Sequence, residues 1–195
     1  MKKLFLDDIR TIEMVYDKSM EDEFDIVRNL NDFKKYIQTN GLPEFISFDN
    51  DLGLDHHGEV APDGYAAVKW LVYDSGLDLS KLNFHVHSAN PVASEQIRGL
   101  LSNFQEHIRS QTFIADIENY SLTISKDNFS QKYDGLKKVV LKYNEIGLAG
   151  SVIENLLTEY IGQDGISEYV DEVFGEVLNC ISGYTSPGNL IKLKE

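Results

Sequence analysis

Four short apolar runs in the N-terminal half each stop abruptly at polar or acidic side chains, and that punctuation limits the folds open to the chain. Leu4-Phe5-Leu6 halts at Asp7-Asp8, and Phe24-Asp25-Ile26-Val27 at Arg28-Asn29. Phe45-Ile46-Ser47-Phe48 halts at Asp49-Asn50-Asp51, and Phe84-His85-Val86-His87 passes into Ser88-Ala89-Asn90-Pro91. A run of this kind reads as a buried parallel strand whose C-terminal end emerges into a crevice. Helical patterns lie between the runs. Asn31 is expected to cap a helix presenting Phe33, Tyr36 and Ile37, broken at Gly41-Leu42-Pro43. Residues 65–73 supply Ala66, Val68, Trp70 and Leu71 to a second helix, and Pro91 opens a third carrying Ile97, Leu100, Leu101 and Phe104. Residues 10–23 read as too polar and irregular for a helix. Strands alternating with helices predict an α/β domain on a mainly parallel sheet.

The pattern changes after residue 110. Residues 112–117, 121–124 and 138–143 read as strands, and 147–161 and 166–182 as helices. A boundary is therefore expected near 109–112, dividing the chain into a domain at 1–110 and a smaller α+β domain at 111–195.

Eighteen Lys and Arg against 32 Asp and Glu leave a formal charge of −14. Such an excess repels a phosphate backbone, so non-specific binding to duplex nucleic acid is not expected. A small phosphorylated ligand, or an RNA end held through a metal ion, stays compatible with it. The single cysteine, Cys180, excludes an internal disulfide and a Cys-rich zinc site and fits a reducing compartment. The apolar run at the N-terminus is too short for a signal peptide, and no stretch is long enough for a membrane span. A cytoplasmic protein with no membrane partner is the expectation.

In an open parallel sheet, ligands bind outside the carboxyl ends of the strands. Asp7, Asp8, Asp49, Asp51, His87, Ser88 and Asn90 are all delivered to that edge. Clustered carboxylates repel one another unless a cation compensates, so Asp7, Asp8, Asp49 and Asp51 are candidate ligands for Mg²⁺ or Mn²⁺. His85 and His87 alternate with Val86 and share one side of their strand, where either could move protons near neutral pH. Ser88 and Asn90, before a helix N-terminus, and Arg10 are candidate phosphate ligands. Each feature also has a plain structural reading. Asp7-Asp8 could be a solvated turn, Asp49-Asn50-Asp51-Leu52-Gly53 ordinary turn chemistry, and the histidine pair packing groups. His56-His57 sits in a polar loop and reads as solvated, and His107 carries no assignment. Convergence on one edge favours function.

Leu-Phe-Leu-Asp-Asp-Ile-Arg (4–10), Ile-Ser-Phe-Asp-Asn-Asp-Leu-Gly (46–53), Asp-Gly-Tyr (63–65) with Lys-Trp-Leu (69–71), and His-Ser-Ala-Asn-Pro (87–91) together resemble the cyclic-phosphate-processing receiver family. The resemblance covers about residues 2–105. It implies a flavodoxin-like sheet of order 2-1-3-4 with helices on both faces, and an acidic pocket acting on cyclic phosphate ends. Asn50 departs from the family, which usually has His there. By the same resemblance Asp7-Asp8 looks like a receiver's metal-binding pair, Asp49 like its phosphoacceptor, and Ser88 like its phosphoryl-sensing hydroxyl. The receiver's fifth-strand Lys is not identifiable, since residues 112–116 contain none.

Residues 135–185 resemble part of the CheX/CheC-type chemotaxis phosphatases, whose Glu-x-x-Asn helix would place Glu176 and Asn179 on one face. The structural alternative is a helix burying Val173, Val177 and Cys180, also able to meet a second copy as a homodimer. Two functional readings follow. One is a metal-dependent enzyme with Asp49, His87, His85 and Ser88 in catalytic roles. The other is a signalling module in which Asp49 accepts a phosphoryl group and the C-terminal part acts on a phosphorylated receiver or dimerises. A non-catalytic nucleotide-phosphate sensor is a third.

Overall fold

The computed structural model describes residues 2–54 and 57–195, so His56 lies outside the described residues. The chain divides into two compact units, Met1–Gln105 and Glu106–Glu195. In the first, β1 (Lys3–Leu6), β2 (Phe24–Val27), β3 (Phe45–Phe48) and β4 (Asn83–Val86) form one parallel sheet ordered β2-β1-β3-β4, the order expected.

The pleat sends alternate residues to opposite faces. Leu4, Leu6, Ile46, Phe48 and Val86 meet α1 (Leu30–Asn40), α2 (Gly64–Tyr73) and the first part of α3 (Pro91–Ser121), burying Phe33, Ile37, Val68, Leu71, Ile97 and Leu101. On the opposite face, Phe5 and Phe24 pack with Ile12, Val15, Tyr16 and Met20. Those last four come from residues 12–23, the stretch that reads as too irregular for a helix. It folds as two 3₁₀ helices, Ile12–Met14 and Lys18–Glu23. α-Helices therefore cover one face and 3₁₀ helices the other.

Local chemistry sets the helix starts. The Asn29 side chain accepts from Asp32 N at 2.9 Å and caps α1, so the expected cap, Asn31, lies inside the helix. Asp63 caps α2 by accepting from Ala66 N at 2.8 Å. The Gln105 amide donates to the Leu79 and Leu82 carbonyls at 2.9 and 2.7 Å, satisfying the loop before β4.

The second unit has no strand among its described residues, which corrects the α+β expectation. Residues 112–117 belong to α3, and 138–143 to α4 (Phe129–Glu145). Residues 121–124 form the end of α3 and the turn after it. The buried positions explain this. Phe113 and Ile117 are four apart, and Leu136, Val140 and Tyr143 follow the i, i+4, i+7 rule of a helix face. Local β-branched runs suggested strands, but spacing decided. Together with α5 (Gly150–Ile161) and α6 (Glu168–Ser182), these helices bury Ile153, Leu157, Phe174 and Val177. No helix of the described residues is long and apolar enough to cross a membrane.

Gly64 shows how tightly β3's exit is built. Its amide donates to the Asn50 carbonyl at 2.8 Å, and a Cβ on Gly64 would land inside contact distance of the Asp49 carbonyl. Gly64→Ala should therefore cost about 1–3 kcal/mol, because backbone has to shift, read as a lower denaturation midpoint at unchanged m-value. Wild-type stability would contradict this packing.

Candidate functional site

Asp7, Asp49 and His87 each occupy the first position after their strand. Each amide continues the sheet ladder, Asp7 N to the Val27 carbonyl at 3.2 Å, Asp49 N to Leu6 at 2.8 Å and His87 N to Phe48 at 2.9 Å. Leu6, Phe48 and Val86 are register partners across β1, β3 and β4, so the three following residues stand abreast. They share the parity of Phe5, Ser47 and His85. One potential ligand atom from each lies within 4.8 Å of the others.

A guanidinium joins the two acids. Arg10 Nη1 donates to Asp7 Oδ2 at 3.0 Å and lies 3.2 Å from Asp49 Oδ2, with side-chain exposures of 29% for Arg10, 0% for Asp7 and 5% for Asp49. Asp7 Oδ1 accepts from the Ile9 and Arg10 amides at 2.9 and 2.5 Å. Burial alone would raise the Asp7 pKa. The Arg10 and Ile9 amides, with the His87 and Arg10 side chains, outweigh burial and hold it below the ordinary value. Asp49 Oδ1, in contrast, is buried with no hydrogen-bond partner among the described residues, as is Thr11 Oγ1.

A chain of hydrogen bonds leads away from Asp7. His87 Nε2 meets Asp7 Oδ2 at 3.1 Å, and His87 Nδ1 meets Ser47 Oγ at 2.7 Å. Tyr16 Oη lies 2.7 Å from Ser47 Oγ and 2.8 Å from His85 Nδ1. An ionised carboxylate can only accept, which orders every donor behind it. His87 Nε2–H donates to Asp7, Ser47 to His87 Nδ1, Tyr16 to Ser47, and His85 Nδ1–H to Tyr16. Phe5 stacks on the His87 ring at 4.6 Å. Burial holds His87 below its ordinary pKa even though Asp7 and Asp49 pull the other way. Burial and the Arg98 charge lower His85. His85 is exposed while the His87 side chain is only 3% exposed, so the residue nearer the strand end is the more buried one.

The other sequence candidates go elsewhere. Asp8 has the opposite parity to Asp7 and lines a separate cleft beside the start of α1. Asp51 is exposed, with Oδ1 accepting from Asn50 Nδ2 at 3.0 Å. Neither belongs to the Asp7–Asp49–His87 cluster. Asn50 accepts from Tyr65 N at 3.3 Å and anchors the loop to α2. Asn90 Oδ1 accepts from Ala93 N at 3.2 Å, as a helix cap does, and Ser88 Oγ accepts from Asn90 N at 3.3 Å. Glu176 and Asn179 are both exposed on α6, whose buried face carries Val173, Val177 and Cys180. Glu176 lines a cavity of about 300 Å³ with Tyr133 and Glu172, and Asn179 is not among its lining residues. Two members of the hydrogen-bonded line were missed in the sequence. Ser47 was visible as the polar residue of β3 on the parity of His85, whereas Tyr16 lay in a stretch with no readable period.

A histidine whose folded pKa is depressed stabilises the fold above its unfolded value, and that contribution is lost as pH falls through the folded value. Nitrogen-15 NMR of the metal-free protein should show both histidines titrating below 6.5, neutral His87 as Nε2–H and neutral His85 as Nδ1–H, with melting temperature declining as pH drops below 6.5. A His87 titrating above 6.5, or carrying its proton on Nδ1, would contradict the bond order derived above.

The likeness of residues 135–185 to CheX/CheC-type phosphatases is not supported, since the strand it required at 138–143 is helix α4. No curated protein and no solved structure matches the chain. The family model of the cyclic-phosphate processing receiver domain matches residues 2–103, over the sheet and acid cluster described above. By this match the chain belongs to the cyclic-phosphate processing receiver domain family.

Proposed function

We propose that the unit built on residues 2–103 handles a cyclic or terminal phosphate of a small ligand or RNA end, with Mg²⁺ or Mn²⁺ held by Asp7 and Asp49. One observation carries the reading: Asp49 Oδ1 is buried without a hydrogen-bond partner among the described residues, beside an arginine that already bridges two acids. Leaving such an oxygen unpaired costs about 1–3 kcal/mol, a cost that a bound cation or donor would remove.

The donor set fits a hard divalent cation through its two carboxylates. His87 Nε2 already donates to Asp7 and would ligate only in its other tautomer. A cation there would polarise a phosphoryl group and offset the acidic charge. Arg10 offsets that charge in the metal-free protein, so the like-charge argument made from the sequence does not by itself demand a metal. Arg10 would instead turn from the carboxylates to the phosphoryl oxygens, a geometry guanidinium suits.

Opening a cyclic phosphate forms a bond from water oxygen to phosphorus and breaks one ester P–O bond. Asp49 takes one proton from the water, the other stays on the new phosphate, and Asp7, ionised at rest, passes a proton from His87 to the leaving oxygen. His87 acts behind Asp7. Its Nε2 proton passes to Asp7 while its Nδ1 takes the Ser47 proton, Ser47 takes that of Tyr16, and Tyr16 that of His85. Solvent resupplies His85, and Asp49 returns its proton to solvent. With both ring nitrogens engaged, His87 in this account does not touch the substrate.

The test is phosphorus-31 NMR with Mg²⁺ or Mn²⁺ and 2′,3′-cyclic nucleotides, acetyl phosphate serving as the competing arm. The expected result is ring opening, lowered on the order of 10²–10⁴-fold by Asp49→Asn. Covalent labelling of Asp49 by acetyl phosphate would support the signalling reading instead, and silence in both arms overturns the proposal. Mn²⁺ should raise the melting temperature by mass action. That gain should vanish in Asp49→Asn and exceed the wild-type gain in Arg10→Gln, which removes the competing cation. Equal gains in all three proteins would place the ion elsewhere.

A further inference from the structure

Beside the acid cluster lies a cleft of about 590 Å³ with a different chemistry, lined by Asp8, Arg28 and Asp32 and by apolar surface from Leu54, Ala61 and Pro62. Its volume falls within the range of small-molecule sites. Leu54, paired with Val60 in an isolated antiparallel bridge, leaves 67% of its surface exposed there.

The cleft and the cluster share one loop. Arg28 lines the cleft, and its Nη1 donates to the Asp7 carbonyl at 2.9 Å and the Arg10 carbonyl at 2.7 Å. The pleat sends the Asp7 carboxylate to the cluster and the Asp8 carboxylate to the cleft. The two carboxylates lining the cleft repel phosphate but accept hydrogen bonds from hydroxyl and amino groups. Apolar side chains beside them can cover the face of a flat ring. A phosphate would therefore go to Arg10, and the uncharged remainder of the ligand to the cleft. The chain's charge of −14 opposes a run of further phosphates and favours a single nucleotide over an RNA end.

We propose that this cleft binds the nucleoside of a mononucleotide whose phosphate sits at the acid cluster, an inference that rests on the phosphate-handling reading above. Calorimetry in saturating Mg²⁺ would compare inorganic phosphate, ribose 5-phosphate and adenosine 2′,3′-cyclic phosphate. The cyclic nucleotide should bind at least about tenfold more tightly than inorganic phosphate. Ala61→Trp, which fills the cleft, should bring that ratio to near one. Asp8→Asn, which keeps the volume, should lower the ratio by a smaller factor, and thermal melts would confirm that both variants fold. Equal wild-type affinity for nucleotide and phosphate would overturn the cleft assignment and leave the phosphate reading standing. An advantage that survives both substitutions would also overturn it. Binding of no probe would overturn both readings.

Discussion

A single guanidinium lies between two carboxylates that water scarcely reaches, and the architecture of the first unit follows from keeping that arrangement satisfied. An unpaired buried carboxylate is costly, and removing one partner of a buried pair costs about 3–5 kcal/mol. Arg10 meets both acids because it lies three residues beyond Asp7, where the chain turns back and its own amide reaches Asp7 Oδ1. Arg28 fixes the same turn from β2 by holding the Asp7 and Arg10 carbonyls. Sheet order does the rest, because β1 and β3 are neighbours and their exits place Asp7 beside Asp49.

The two faces of the sheet carry different work. One is an apolar core under α1, α2 and α3. The other carries a polar line, Ser47, His85 and His87, under a cover of 3₁₀ helices. Tyr16 supplies that cover with a hydroxyl able to accept from one neighbour and donate to the next. Buried polar groups of this kind persist only when connected. Here the connection runs from an exposed imidazole to a buried carboxylate. The fold thus ties the acid cluster, through a line of hydrogen bonds, to an imidazole at the surface.

The strands of the first unit were legible because each apolar run ended in a sharp polar stop, and the register then followed from pleat and order. The cluster was only partly legible. Parity separates Asp7 from Asp8 as surely as it joins His85 to His87, yet adjacent acids invite being read as a pair. Arg10 was visible as a phosphate candidate but not as a bridge, since only the folded loop shows which carboxylates it reaches. In the second unit, Val139-Val140-Leu141 read as strand because β-branched side chains favour sheets. The deciding signal was longer in range: Leu136, Val140 and Tyr143 recur at helical spacing.

The central claim is that Asp7 and Asp49, with His87 directly behind Asp7, form one metal-binding centre. Mn²⁺ titration of histidine-labelled protein, followed by NMR, tests it most directly, because a paramagnetic ion broadens the nearest imidazole first. The account predicts that the His87 signals fade at the lowest Mn²⁺, ahead of those of His85, which reaches the cluster only through Tyr16, Ser47 and His87. Loss of His85 before His87, or an unchanged His87 at saturation, would contradict it.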